Sequence, residues 1–275
     1  MIPVPSKMKG LKPVSSRAIE RREDTSQIKE DMHAEGLALW ERFRRQLGPI
    51  LLKDPHLLCG MWHSRQLSTI TDRRLLEILE LRKVRDNWHD TLHVFYQRLA
   101  LPAIAQELRL DYEADKDGLD AVFELRSAKD GYVAKVVIEL ASDSDRALAR
   151  GQAIERLCNA RAPLRILLLT TRWNRRWGEK SIRAAWLPKF ATVLDRYCDQ
   201  YQPKGVFALI VGDWIPVNLS ARDKCANGTI TLCSRVYDEH GSLMTDVSAR
   251  PLGNGDATIV SERFSLRNAE YTLEA

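Results

Sequence analysis

Three groupings along this 275-residue chain carry side chains that could do chemistry. Arg172, Trp173, Arg175, Arg176, Trp177 and Lys180, with Arg183 and Trp186 after them, interleave cations with aromatics. Such arginines pair with phosphates while the tryptophans stack on bases. The plainer alternative puts the tryptophans under a sheet edge and leaves the arginines in water. His89-Asp90-Thr91-Leu92-His93 sets two imidazoles one helical turn apart, the spacing of zinc proteases, with aspartate in place of the usual glutamate and no convincing third ligand. Trp88, Leu92, Phe95 and Tyr96 around them read instead as a helix whose histidines are partly packed. Finally, Asp120 and Glu139 stand in two β-rich runs. Two carboxylates brought together on neighbouring strands can bind Mg2+, which polarises a phosphate and lowers the pKa of bound water. No Gly-x-Gly-x-x-Gly, phosphate loop or Gly-x-Ser-x-Gly occurs, so nucleotide-cofactor and serine-hydrolase readings have no support in the text.

The elements that must position these groups follow from periodicity. Residues 1–34, with Pro3, Pro5, Pro13 and alternating charges, read as a flexible charged tail. Residues 35–100 form a helical region. Leu37, Trp40, Phe43, Arg44 and Leu47 share one helix face up to Gly48-Pro49, and a second helix opens at Asp72 and is kinked or broken near Pro102. Residues 101–212 form an α/β core. Its runs 120–126 and 132–141 pair as a hairpin through 127–131, a helix follows from Asp143 or Ser144 to about residue 160, and 164–170 is an apolar strand buried on both faces. A helix over 180–201 and a strand over 205–211 complete it, and 213–275 is a β-rich extension with short strands at 229–237 and 242–247. The predicted fold class is therefore α/β, a mixed sheet with flanking helices.

Composition limits the function classes. A chain with 44% hydrophobic and 29% charged residues is an ordinary globular one, and a net charge of +5 leans towards polyanionic partners. The absence of a run of about 18 apolar residues predicts no membrane span. Five cysteines, none spaced Cys-x-x-Cys, predict reduced thiols in a cytoplasmic protein rather than a disulfide framework or zinc knuckle.

The order helix, strand, hairpin, helix, strand over residues 75–171 resembles the common core of the PD-(D/E)XK, or restriction-endonuclease-like, nucleases. That resemblance implies metal ligation by Asp120 and Glu139, a catalytic site of Asp120, Glu139 and Gln152, and Mg2+ as cofactor if the chain is active. Glu107, just before the first core strand, is a poorer extra acid. The sequence departs from the family where a lysine belongs two residues after Glu139, at Ala141. Lys135 shares a face with Glu139 on a regular strand but stands about 13 Å away. Arg146 and Arg150 could reach the site, though a guanidinium stabilises charge rather than acting as a base. The resemblance implies a nucleic-acid-associated protein, DNA ahead of RNA, with a divergent metal-dependent endonuclease-like core that is active or catalytically dead. The alternative is a non-enzymatic interaction subunit of a larger complex, meeting protein partners through its tail or its C-terminal strands.

Overall fold

Near-continuous apolar runs in mid-chain demand cover on both faces, and the structure supplies it as helix, sheet and helix layers. The computed structural model describes residues 16–51, 53, 91–127, 131–142, 151–172, 182–216, 228–244, 260–267 and 270–274. Helices α1 (Ser16–Leu51), α2 (Thr91–Phe95) and α3 (Leu101–Leu108) come first, with a π-helical turn at Tyr96–Ala100 between the last two. Strands β1 (Asp111–Lys116), β2 (Leu119–Ser127) and β3 (Gly131–Ser142) follow, then α4 (Gln152–Asn159), β4 (Leu164–Arg172), α5 (Ile182–Tyr201), β5 (Val206–Pro216), β6 (Gly228–Tyr237), β7 (Val260–Arg267) and β8 (Glu270–Glu274). Among the described residues the strands form one mixed eight-stranded sheet in chain order. β3, β4 and β5 run parallel, and the pairs on either side are antiparallel.

Alternation along the strands sorts two cores. Leu164, Ile166, Leu168, Val206, Ala208 and Ile210 pack with α1, α3 and the π turn, whereas Leu167, Leu169, Phe207, Leu209 and Val211 face α4 and α5. Phe43 of α1 is fully buried and stacks near both Trp40 and Phe123.

Several boundaries differ from the sequence expectation. Helix α1 begins at Ser16, inside the stretch expected to be a flexible tail, and passes Gly48-Pro49 to end at Leu51. Pro102 does not break the helix but falls in the first turn of α3, where a missing N–H costs least. The segments 72–90 and 143–150, expected to be helical, lie outside the described residues. The strand expected over 242–247 is represented, among the described residues, by a single bridge between Tyr237 and Leu243. Among the described residues no helix is long and apolar enough to cross a membrane.

One close approach pins α1 to the sheet. A side chain on Gly36 would strike the carbonyl oxygen of Pro163 and come within 2.9 Å of Val206 Cγ2, while the same carbonyl accepts the Val206 N–H at 2.8 Å. In an open helix Gly→Ala stabilises by about 1 kcal/mol. Here Gly36→Ala is expected to destabilise by about 1 to 3 kcal/mol, because overpacking outweighs propensity. Urea unfolding followed by far-UV circular dichroism reads the sign directly.

Candidate functional site

The antiparallel pairing of β2 and β3 places Asp120 beside Glu139, one step beyond the Ala121–Ile138 pair. The two acids singled out from sequence therefore do meet, but each is already engaged. Arg156 of α4 grips Glu139 with two parallel bonds, Nε to Oε1 at 2.8 Å and Nη2 to Oε2 at 2.6 Å. The Glu139 side chain is 1% exposed. Burial pushes its carboxyl up to about 7, Arg156 opposes that shift, and the neighbouring Asp120 charge adds to it.

Asp120 is half-buried, and its two oxygens have separate partners. Oδ2 accepts the Leu140 backbone N–H at 2.7 Å, and Oδ1 lies 3.4 Å from His93 Nε2. Burial pushes this carboxyl up, yet His93, the Leu140 N–H and Arg156 together outweigh it and hold Asp120 below the ordinary range. The backbone at Asp120 is fixed as well. Gln97, carried on the π turn, donates to the Asp120 carbonyl at 2.9 Å and to Asp115 Oδ1 at 3.1 Å, while the Tyr112 hydroxyl donates to the Gln97 carbonyl at 2.7 Å. A π turn is an extra residue's worth of winding, and it re-aims the side chains that follow α2 towards this end of the sheet.

The remaining expected residues fall as follows. Gln152 is exposed in the first turn of α4, four residues before Arg156 on the same helix. Glu107 is exposed on α3. Ala141 is buried against the α4 and α5 core. Lys135 does not share Glu139's face as a regular strand would require. The ladder pairs Phe123 with Val136 and Glu124 with Ala134, so Lys135 is the extra residue of a bulge and reaches Glu35 of α1 at 2.6 Å. Arg146, Arg150 and His89 lie outside the described residues, as do Trp173, Arg175, Arg176, Trp177 and Lys180. Arg172 ends β4 opposite Trp214, and Arg183 lies in the first turn of α5.

A hard divalent cation needs carboxylate oxygens turned to a common open space. Arg156 holds both Glu139 oxygens, and Asp120 spends its own on a backbone N–H and an imidazole. Among the described residues no group of three or more His, Cys, Asp or Glu side chains is placed to hold a metal ion. As arranged, the pair does not fit Mg2+. The residue that sequence reasoning passed over is His93: it was weighed only as half of a zinc pair, and its partner proves to be an acid 27 positions further on, which no local spacing reveals.

No known protein family matches this chain, and no curated protein does. Among solved structures it matches a carbon-nitrogen hydrolase from Helicobacter pylori G27 with 10% identity and a TM-score of 0.32, over 80% of this chain and 84% of that one. A likeness at that level carries neither fold nor activity across. The resemblance to the PD-(D/E)XK nucleases drawn from sequence is corrected on other grounds: no nuclease family matches this chain, and the two acids on which it rested are held by Arg156, the Leu140 N–H and His93. The reading as a nucleic-acid-associated protein with an endonuclease-like core is set aside with it, and the interaction-subunit alternative gains no support either, since no family and no curated protein matches.

Proposed function

We propose that His93 and Asp120 form the acid–base dyad of an enzyme that takes a proton from a water or hydroxyl held beside the imidazole. The observation that carries this reading is the Asp120 carboxylate fixed between the Leu140 N–H and the His93 ring. A carboxylate anchored on one oxygen orients an imidazole with the other and stabilises the imidazolium formed as the proton arrives. Both side chains are 22% exposed, so the ring can be reached from solvent while the acid stays partly shielded. The separation of 3.4 Å is longer than a tight hydrogen bond, as is common before a substrate closes a site. Glu139 deepens the arrangement from behind. Two neighbouring acids whose environments drive them in opposite directions, Asp120 down and Glu139 up, leave one ionised and one able to hold a proton near neutral pH.

The test uses the full chain, with no metal added and a chelator present, on a panel of activated esters and anilides. Turnover of at least one substrate that survives chelation and falls about 100-fold in His93→Gln supports the dyad. Equal rates for the wild type and His93→Gln across the panel defeat it. Asp120→Asn is expected to lower the same rate while leaving the substrate KM nearly unchanged, because the amide no longer stabilises a charged ring.

A further inference from the structure

Asp120 belongs to neither of the ladders that flank it. Among the described residues, the β1–β2 register passes from Ala114–Ala121 to Lys116–Leu119 with nothing paired between, and the β2–β3 register reaches no further than Ala121–Ile138. On a regular strand, residues two apart share a face. Leu119 nevertheless packs in the α4 and α5 core while Ala121 packs in the α1 and α3 core, so β2 turns over at Asp120. That turn takes the carboxylate out of the pleat and lets Oδ2 accept the Leu140 N–H. A gap in a ladder leaves a backbone carbonyl to be satisfied. Gln97 satisfies it, its Nε2 donating to Asp120 O at 2.9 Å and to Asp115 Oδ1 at 3.1 Å. Asp115 stands opposite Asp120 across the gap with φ +54°, a left-handed conformation that aspartate tolerates better than most residues.

We propose that Gln97 is the positioning residue of the His93–Asp120 dyad, its side-chain amide standing in for the missing rung and thereby fixing the imidazole against the carboxylate. The role presupposes the dyad, although the bonds that carry it do not. His93 and Gln97 are four residues apart, so their side chains leave one face of the helical run about one turn from each other. Both meet Asp120, His93 at Oδ1 and Gln97 at the carbonyl. A helix joined to a strand end by a single 3.4 Å contact can roll or slide against it. A second bond to the same residue stops both motions, and the Tyr112 hydroxyl, 2.7 Å from the Gln97 carbonyl, holds the turn to β1 as well. The same contact assigns the ring nitrogens. Nε2 faces the carboxylate and donates to it, so Nδ1 is the atom that takes the substrate's proton.

Proton–nitrogen correlation spectra of the full chain, labelled with 15N at its histidine rings, test this role without any substrate. The His93 signals are assigned by their loss in His93→Gln. With the ring neutral, wild-type His93 is expected as a single Nε2–H tautomer. Gln97→Met keeps side-chain length and helix propensity but has no N–H to give, and is expected to turn that pattern into an average of both tautomers. An unchanged pattern in Gln97→Met overturns the positioning role, whereas a wild-type ring that is not Nε2–H overturns the dyad itself. Asp115→Asn tells geometry from charge, since asparagine keeps an acceptor and tolerates positive φ. There the single tautomer is expected to persist, and its loss to the same extent as in Gln97→Met defeats the proposal. Should Gln97→Met fail to fold by far-UV circular dichroism, Gln97→Asn, one methylene short of the Asp120 carbonyl, is read in its place with the same expectation. On a substrate that the wild type turns over, Gln97→Met is expected to lower kcat about 10-fold with KM within about 2-fold, the pattern of a misplaced base. A change confined to KM overturns the role.

Discussion

Replacing Arg165 with alanine is expected to lower the unfolding free energy by about 3 to 5 kcal/mol, the sum of stranded acceptors and an unfilled volume. The guanidinium reaches Leu157 O at 2.9 Å, Ala160 O at 2.9 Å and Lys204 O at 2.5 Å. It thereby ties the C-terminal end of α4 to the loop that enters β5. Losing a buried cation also removes its desolvation cost, which lowers the net loss. Each carbonyl left without a partner costs about 1 to 3 kcal/mol, however, and this falls on those of Ala160 and Lys204, whereas Leu157 O keeps the Ala160 N–H at 3.3 Å. Arg165→Met separates the two contributions, since it fills most of the volume and serves none of the carbonyls. Urea midpoints should fall for both variants, with methionine retaining less than half of the loss reversed. A methionine variant as stable as the wild type would show that the carbonyls find other partners.

The second large effect depends on pH. Glu139 titrates near 7 in the folded chain against an ordinary value of 4.5. Between those values the folded state holds more protons than the unfolded one, so stability rises as pH falls. The contribution is fully present below pH 4.5 and is lost as pH climbs through 7. Its size is about 3 kcal/mol for this nearly unexposed side chain. Glu139→Gln should therefore flatten the change in urea midpoint between pH 5.5 and pH 8.5. An unchanged slope in that variant would mean that Arg156 keeps the carboxylate ionised throughout. Arg156→Ala should act in the opposite direction, extending the steep region to higher pH, because the bidentate partner that favours the charged form is gone.

The central sheet was legible because burial on two faces leaves an unmistakable text: Leu164 to Leu169 and Val206 to Val211 are apolar at nearly every position. The hairpin was equally plain from β-branched residues on either side of its turn. Edge strand β1, Asp-Tyr-Glu-Ala-Asp-Lys, carries no such signal in its own residues, since one face of it is exposed and its polar alternation resembles a loop. The start of α1 at Ser16 was hidden by a charged, proline-flanked composition. In the site, the neighbourhood of Asp120 and Glu139 followed from the hairpin alone. Their partners did not, because the phase of α4 against β3 decides that Arg156 meets Glu139, and phase between elements is a packing outcome. The Lys135 bulge was invisible for a similar reason: alternation predicts a face, and one extra residue in a ladder moves it to the other.

Among the described residues, each strand after β1 hydrogen-bonds to the strand just before it in the chain, and none is inserted between earlier neighbours. A polypeptide leaving the ribosome would thus find the docking edge for each new strand already laid down, and could add to it without reopening a finished ladder. Assembly can keep pace with translation, and the exposed edge at any moment waits only for the segment synthesised next.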